Sequence, residues 1–347
     1  MIPPLKLDHL LRMTDEFGMF QFASGTTPNK DFGYTLDDNA RALIVCSWLI
    51  QNDNKKELEG LITIYFNFVK KCLQTDGTFI NYIDFNGKVP SKQNTNENLE
   101  DVQGRVLWAL AEVIMNTKLP LPLRNEAEKL FLISFKQSHN FTHLRAQAFA
   151  IKAFALAQKK VPSSRKELFE TIKKYADNLV NSFKKNSEGS WVWFENKLTY
   201  NNGILPESLF IASELIKESE YGEVGEKTLR FLIGITYIDD KYVPIGNSQW
   251  YEKNKIRSMF DQQPEDPASI ILVLYQAYKH TGNTEYKKLA LQCFGWFLGD
   301  NTLGLPLYDN ITFGCHDGLN KNGVNRDQGA ESLISYLMSH YIVQTLK

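Results

Sequence analysis

Residues 32–48 read FGYTLDDNARALIVCSW and place two acids where a loop turns into an apolar helix. Asp37 precedes Arg41 by four positions, so on a helix the two side chains lie one above the other on one face. The same frame returns at Asp101 and Arg105, at Asp261 and Glu265, and at Asp327 and Glu331. Phe141 with Arg145 and Gly203 with Glu207 keep the charged fourth position without the leading acid, which brings the frames to six.

Each frame opens a similar unit. A turn and an aromatic extended segment lead through a polar loop into a helix apolar on nearly every side, and an amphipathic helix follows. The first inner helix is predicted over 36–51, where Ala40, Ala42, Leu43, Val45, Cys46 and Leu49 leave no polar face, as burial between layers requires. The outer helix over 55–73 differs, with Leu58, Leu61, Ile62, Tyr65, Phe66 and Val69 in one stripe and Lys55, Lys56 and Glu57 turned to water. Further inner helices are predicted at 99–115, 144–158, 207–217, 267–280 and 329–342, and outer helices at 123–135, 165–183, 223–237 and 285–298. Extended segments are expected around Met19, Phe79, Trp191, Tyr242 and Leu305. The sixth inner helix has no outer partner downstream, so a first helix over 5–13 must supply it. Intervals of 40 to 66 residues between the charged positions exclude a short-period solenoid. The pattern therefore predicts an all-α (α/α)6 toroid, a single domain over 1–347 with short strands and long loops at one end.

With 43% apolar residues the chain can bury a large core. A formal net charge of −1 leaves no electrostatic footprint for nucleic acid or an anionic membrane surface, and neither is expected as a partner. No apolar run reaches the roughly 18 residues of a spanning helix. The opening MIPPLKLDHLLRMTDEFG lacks the apolar stretch of a secretory signal, so the cytoplasm is the expected compartment. Cys46, Cys72 and Cys293 fall in apolar helical patterns and Cys315 in a loop, with no C-x-x-C pair, which points to buried reduced thiols.

If the inner helices run parallel, their N-termini gather at the end that holds the loops. Free N–H groups and partial positive charge there favour ionised carboxylates. The fourth positions put Arg41, Arg105 and Arg145 on one half of the ring and Glu207, Glu265 and Glu331 on the other. As structural groups these charges neutralise one another. As functional groups, Asp37, Asp38, Glu100, Asp101 and Asp261 converge, and crowded acids push one another's pKa values apart, leaving one as general acid and another as base. The expected catalytic carboxylates are Asp38 or Asp101 as base, with Arg41 and Arg105 holding these two ionised or orienting substrate, and Asp261 or Glu207 as acid. Trp191, Trp193, Phe194, Trp250 and Tyr251 fall in loops or rim strands, where an aromatic face beside acids and amides suits a sugar ring. Gln262, Gln263, Asn247, Asn325 and Asp317 would serve its hydroxyls. The six histidines are dispersed, and no zinc, phosphate-loop, dinucleotide or nucleophile motif appears, so no metal or cofactor is expected. His139 and His143, one helical turn apart, read as a surface pair.

The pieces YTLDDNARAL (34–43), EDVQGR (100–105), WVWFE (191–195), FDQQP (260–264) and DGLNKNGVNRDQGAES (317–332) resemble the six-hairpin domains found in bacteria, alone or fused behind retaining-type glycosyltransferase domains. The resemblance spans nearly the whole chain as five ordered motifs. It implies the (α/α)6 fold and a carbohydrate setting, including mannose-containing oligosaccharides. The substrate-binding set expected on these motifs and loops is Asp37, Arg41, Glu100, Arg105, Trp191, Trp193, Glu195, Trp250, Tyr251, Gln262, Gln263, Asp317, Asn325 and Glu331. Asn201-Asn202 departs from the resemblance, since an acidic Asp-Asn is expected there. The function expected is an inverting glycoside hydrolase acting on an oligosaccharide. The alternatives are a sugar epimerase or isomerase of the same fold, which would use histidines as acid and base, and a non-catalytic glycan-binding partner of a glycosyltransferase.

Overall fold

The computed structural model describes residues 2–52 and 56–347; Lys55, expected at the head of the first outer helix, lies outside them. Thirteen α-helices and only two- or three-residue strands occur among the described residues, and helix takes 57% of the chain, so the all-α expectation holds. The first helix, α1, is Asp8–Arg12. The chain packs as two compact units, an N-terminal one of Leu11–Ala23 and Thr27–Tyr175 and a C-terminal one of Met1–Leu10, Ser24–Thr26 and Ala176–Lys347.

In the N-terminal unit the helices are α2 (Leu36–Leu49), α3 (Lys56–Cys72), α4 (Ser91–Asn96), α5 (Glu100–Met115), α6 (Leu121–Phe135) and α7 (Leu144–Ala157). The inner helices α2, α5 and α7 pack side by side, with α3 covering α2 and α6 covering α5. Small residues permit this. A Cβ added at Gly104 of α5 would come within 2.8 Å of the Phe149 Cβ and 3.0 Å of the Ala146 carbonyl oxygen, so only glycine fits where α5 meets α7. On α3 the expected stripe from Leu58 to Val69 is buried, while Glu57, Glu59, Lys70 and Lys71 are exposed. Each large apolar side chain buried this way stabilises the unit by about 1.5–3 kcal/mol.

Helix α8 (Arg165–Asn186) follows. The C-terminal unit then holds α9 (Ile204–Ile216), α10 (Ser219–Thr236), α11 (Glu265–Thr281), α12 (Thr284–Gly295) and α13 (Ala330–Thr345). Here α9, α11 and α13 are the inner set, with α10 on α9 and α12 on α11 and α13. Gly203 marks another close approach, since a Cβ there would lie 2.4 Å from the Ser269 carbonyl oxygen of α11. Helix α9 starts three residues before the expected 207 because Pro206 suits a first turn, where the missing N–H costs nothing. The helix expected over 5–13 as the partner of the last inner helix is confined to α1, Asp8–Arg12. The segment still docks in this unit: His340 Nε2 lies 2.7 Å from the Pro3 carbonyl oxygen, and His9 Nε2 lies 2.8 Å from that of Gln328.

Most expected strands shrink to single bridges, including Phe20 with Tyr34, Leu73 with Phe79 and Glu188 with Trp191. Their aromatic alternation instead serves burial, as Phe20, Phe79, Trp193 and Phe194 all face the interior. The four cysteines are buried and unbridged, as expected. No described helix is long and apolar enough to cross a membrane.

Candidate active site

The start of α2 is built from three segments. Thr35 is its N-cap: the hydroxyl oxygen accepts from the Asp38 N–H at 3.2 Å and donates its own proton to Asp38 Oδ2 at 2.5 Å. The pattern Thr-Leu-Asp-Asp before an apolar run signals such a cap in sequence. Asn81, from the chain that pairs with Tyr34-Thr35, takes the other free donors, with its carbonyl on Leu36 N at 2.7 Å and its Oδ1 on Asp37 N at 3.0 Å. Asn39 pins the incoming chain, its Oδ1 accepting from Met19 N at 2.8 Å and its Nδ2 donating to the Thr35 carbonyl at 2.7 Å. The helix end is thus fully capped without either acid leaving its face.

Both acids meet one guanidinium. Arg41 Nη2 lies 2.6 Å from Asp37 Oδ2 and 3.0 Å from Asp38 Oδ1, and Arg105 Nε reaches Asp37 Oδ1 at 3.2 Å from α5. The Arg105 guanidinium also lies over the Phe149 ring of α7, 4.8 Å from its centre. Arg41, Arg105 and Arg145 are all buried, so the three arginines of the sequence pattern line the inner helices of this unit. Asp38 is 4% exposed, whereas the Asp37 side chain is 21% exposed and so forms the accessible edge of the pair.

The shared arginine does not treat the acids alike. Burial is the strongest influence on Asp38 and, with the adjacent charge of Asp37, pushes its carboxyl up to about 6 against the pull of Arg41 and the Thr35 hydroxyl. Burial acts on Asp37 too, but Arg105 and Arg41 together outweigh it and hold that carboxyl below the usual carboxylate range. The expected hold of the arginines on an ionised carboxylate is therefore stronger at Asp37 than at Asp38, and Asp38 keeps its proton up to about 6. Asp101 stands half-exposed in the first turn of α5, one turn above Arg105 on the same face. Glu100 is committed elsewhere: its carboxylate accepts from the Thr142 and His143 N–H groups at 2.7 and 2.8 Å and from the Thr142 hydroxyl at 3.0 Å, capping α7 rather than facing a ligand.

In the C-terminal unit, Glu207 is buried in the first turn of α9, while Glu265 and Glu331 are half-buried in the first turns of α11 and α13. Asn201 bridges toward α11, its N–H donating to Asp266 Oδ1 and its Nδ2 to Glu265 Oε1, each at 3.2 Å. An acid at 201 would set a third carboxylate against these two. Asp261 is half-buried with a left-handed backbone, φ +60°, and its carbonyl accepts from Asn247 N at 3.0 Å.

Several expected ligand-binding residues here are structural. Trp193 is fully buried, 5.0 Å from Phe194 and 6.2 Å from Phe231 between ring centres, and Trp191, 5% exposed, packs on Phe231 and Tyr251. Glu195 lends its carbonyl to Trp191 Nε1 at 2.8 Å. Tyr251 pairs with Leu198 across a two-residue ladder. Gln262 is fully buried, its Oε1 accepting from Trp296 Nε1 at 2.8 Å and its Nε2 donating to the Met259 carbonyl at 2.8 Å; Gln263 beside it is half-buried. Asp317 caps α13 through Gly329 N at 2.7 Å and the Ser332 hydroxyl. Asn325 is exposed and accepts from Asp327 N at 3.3 Å. Trp250 alone among the tryptophans in the expected set is partly exposed. Sequence reading missed Thr35, legible from its capping pattern, and Asn81, which carries no local signal.

A scan against protein-family models and a search of curated proteins give no match. Solved structures do match. The cellobiose 2-epimerase of Bacillus thermoamylovorans superposes with a TM-score of 0.74 at 10% identity, over 98% of this chain and 95% of that one. A sugar epimerase from a ruminal bacterium gives 0.71 at 13% identity over 97% and 94%. A GH76A α-1,6-mannanase from Salegentibacter gives 0.64 at 10% identity over 98% and 96%. The fold is the (α/α)6 toroid. Six-hairpin architecture, expected from the spacing of the frames, is therefore what this chain shares with those proteins, and fold does not by itself fix the reaction.

Proposed function

We propose that this six-hairpin protein is a carbohydrate-active enzyme, a glycoside hydrolase that cleaves an oligosaccharide by carboxylate acid–base catalysis. The observation that carries the reading is the divided pair at the start of α2, where Asp38 holds a proton up to about 6 while Asp37 stays ionised between two guanidiniums. Paired carboxyls with separated pKa values are what glycosidic cleavage needs. The fold's occurrence in proteins described as mannanases and sugar epimerases supports a sugar substrate.

Asp37 and Asp38 do not form an inverting pair by themselves. Oxygens of both sit on the one Arg41 nitrogen at 2.6 and 3.0 Å, so they lie closer together than the about 6.5–9.5 Å an intervening water requires. In the proposed mechanism Asp38 donates its proton to the glycosidic oxygen as the bond to the anomeric carbon breaks. Asp101, half-exposed, takes a proton from the water that attacks that carbon, and the product is a hemiacetal of inverted configuration. Asp37 supplies a fixed negative charge beside the oxocarbenium-like transition state. This replaces Asp261 and Glu207 as expected acids, since Asp38 has the raised carboxyl and lies in the same unit as Asp101.

A panel of neutral oligosaccharides followed by proton NMR tests the reading. Hydrolysis with inversion at the anomeric carbon, lost in Asp38→Asn and Asp101→Asn, is the expected result. A change of configuration at C2 without chain cleavage favours the epimerase, for which His143, exposed at the start of α7, is a candidate base. Binding without turnover leaves the non-catalytic reading.

A further inference from the structure

In the C-terminal unit one loop holds a bulky side chain at a conformational cost. Among the described residues eight non-glycine positions have positive φ. Five are Asn or Asp, which tolerate that region, and Lys217 is the left-handed cap of α9. The two bulky ones are Phe313, φ +61°, which lies beneath the Lys6 ammonium at 5.8 Å, and Trp250, φ +61°. A tryptophan there is strained, because its Cβ crowds the neighbouring carbonyl and glycine would not.

The strain at Trp250 is imposed from both sides. Its N–H donates to the Gly246 carbonyl at 3.1 Å and its own carbonyl accepts from Ser258 N at 2.9 Å. Gly246 lies so close to Phe260 that a Cβ would sit 1.7 Å from that residue's carbonyl oxygen, which fixes the base of the loop. Arg257 locks it further, donating to the backbone carbonyls of Ile235, Val243 and Pro244, the last two at 2.8 and 2.7 Å. What this frame presents is the Trp250 indole, partly exposed, beside the Tyr200 ring, 37% exposed, with centres 6.5 Å apart and planes at 50°. Strain that the surrounding structure over-determines recurs at ligand-binding positions and motivates a functional reading of Trp250.

We propose that Tyr200 and Trp250 form a rigid aromatic clamp that stacks on the apolar face of one neutral pyranose unit. The clamp deepens the carbohydrate reading and rests on it. Two flat faces set at an open angle suit a ring whose C–H groups are apolar and whose hydroxyls stay in water, and such faces bind with little entropy loss when held in advance. Within the loop Lys253 pairs with Glu188 and Lys255 with Glu252 at 2.9 Å each, and Arg257 is engaged with backbone carbonyls, which suits a neutral ligand better than a charged one.

Calorimetric titration of the full chain with neutral gluco- and manno-tetrasaccharides, alongside thermal melts, tests the clamp. Trp250→Gly removes the ring and the strain together. It should bind the tetrasaccharide that wild type binds at least about tenfold more weakly while melting at the same temperature or higher. Tyr200→Ala should weaken binding similarly with an unchanged melt. A Trp250→Gly variant that binds like wild type overturns the clamp alone, and so does one that melts well below wild type, since the ring is then packing. If wild type binds no tetrasaccharide, both the clamp and the carbohydrate reading fall.

Discussion

Arg105 Nε of α5 lies 3.2 Å from Asp37 Oδ1 of α2, joining the first turns of two inner helices through one ion pair. Arg105 is buried, so removing it leaves Asp37 with a single cationic partner in a site that still desolvates its charge. Arg105→Met should lower stability by about 2–4 kcal/mol, toward the low end of buried-pair losses because Asp37 is partly exposed. Arg105→Lys should recover only part of this, as an ammonium cannot reproduce the planar contact with both Asp37 and Phe149. Urea unfolding of the three proteins checks the order, and equal midpoints would remove the pair from the account.

Asp38 makes stability depend on pH in a defined direction. Folded, it keeps its proton up to about 6; unfolded, an aspartate releases it near ~3.9. The folded state therefore binds more protons between these values. The contribution is complete below the unfolded value and is lost as pH rises through about 6. Asp38→Asn, neutral throughout, should melt above wild type by about 2–4 °C at pH 8, with the gap closing toward pH 4. A gap of the same size at both pH values would show that Asp38 carries no such shift.

In the proposed mechanism the same carboxyl sets the activity profile. As a general acid Asp38 must be protonated, so kcat/KM should fall about tenfold per pH unit above about 6. Asp38→Asn should cost about 10²–10⁴-fold and abolish that limb. If the limb survives the substitution, the proton donor is another group.

Trp193 should behave as core. It is fully buried against Phe194 and Phe231, and Trp193→Ala should cost about 3–5 kcal/mol by opening a cavity. The folded fraction of the variant should bind sugars as wild type does. A stable variant with weakened binding would return this ring to the ligand site.

Gly104 is held to hydrogen by the approach of α7. Gly104→Ala places a methyl 2.8 Å from the Phe149 Cβ and should destabilise by about 1–3 kcal/mol, although alanine favours helix elsewhere. Chemical denaturation reads the sign directly: a gain would mean that α5 and α7 move apart at no cost.

The recurrence of a charged residue four positions after a loop acid, the small-residue inner helices and the striped outer ones were legible from sequence alone, because helical periodicity and capping are local properties of the chain. Thr35-Leu36-Asp37-Asp38 announces its helix start without reference to anything distant. Roles within the site were not local. Asp37 and Asp38 are neighbours with identical side chains, and what divides them is Arg105 arriving from α5 on one and deeper burial of the other. Trp193 and Trp250 likewise read alike in a loop, yet one closes against Phe194 and Phe231 while the other is held at positive φ with its edge in water. Burial, desolvation and the distance between charges belong to the packed chain, so the sequence by itself could name the acids and the rings, and only the tertiary structure decided which acid keeps its proton and which ring faces out.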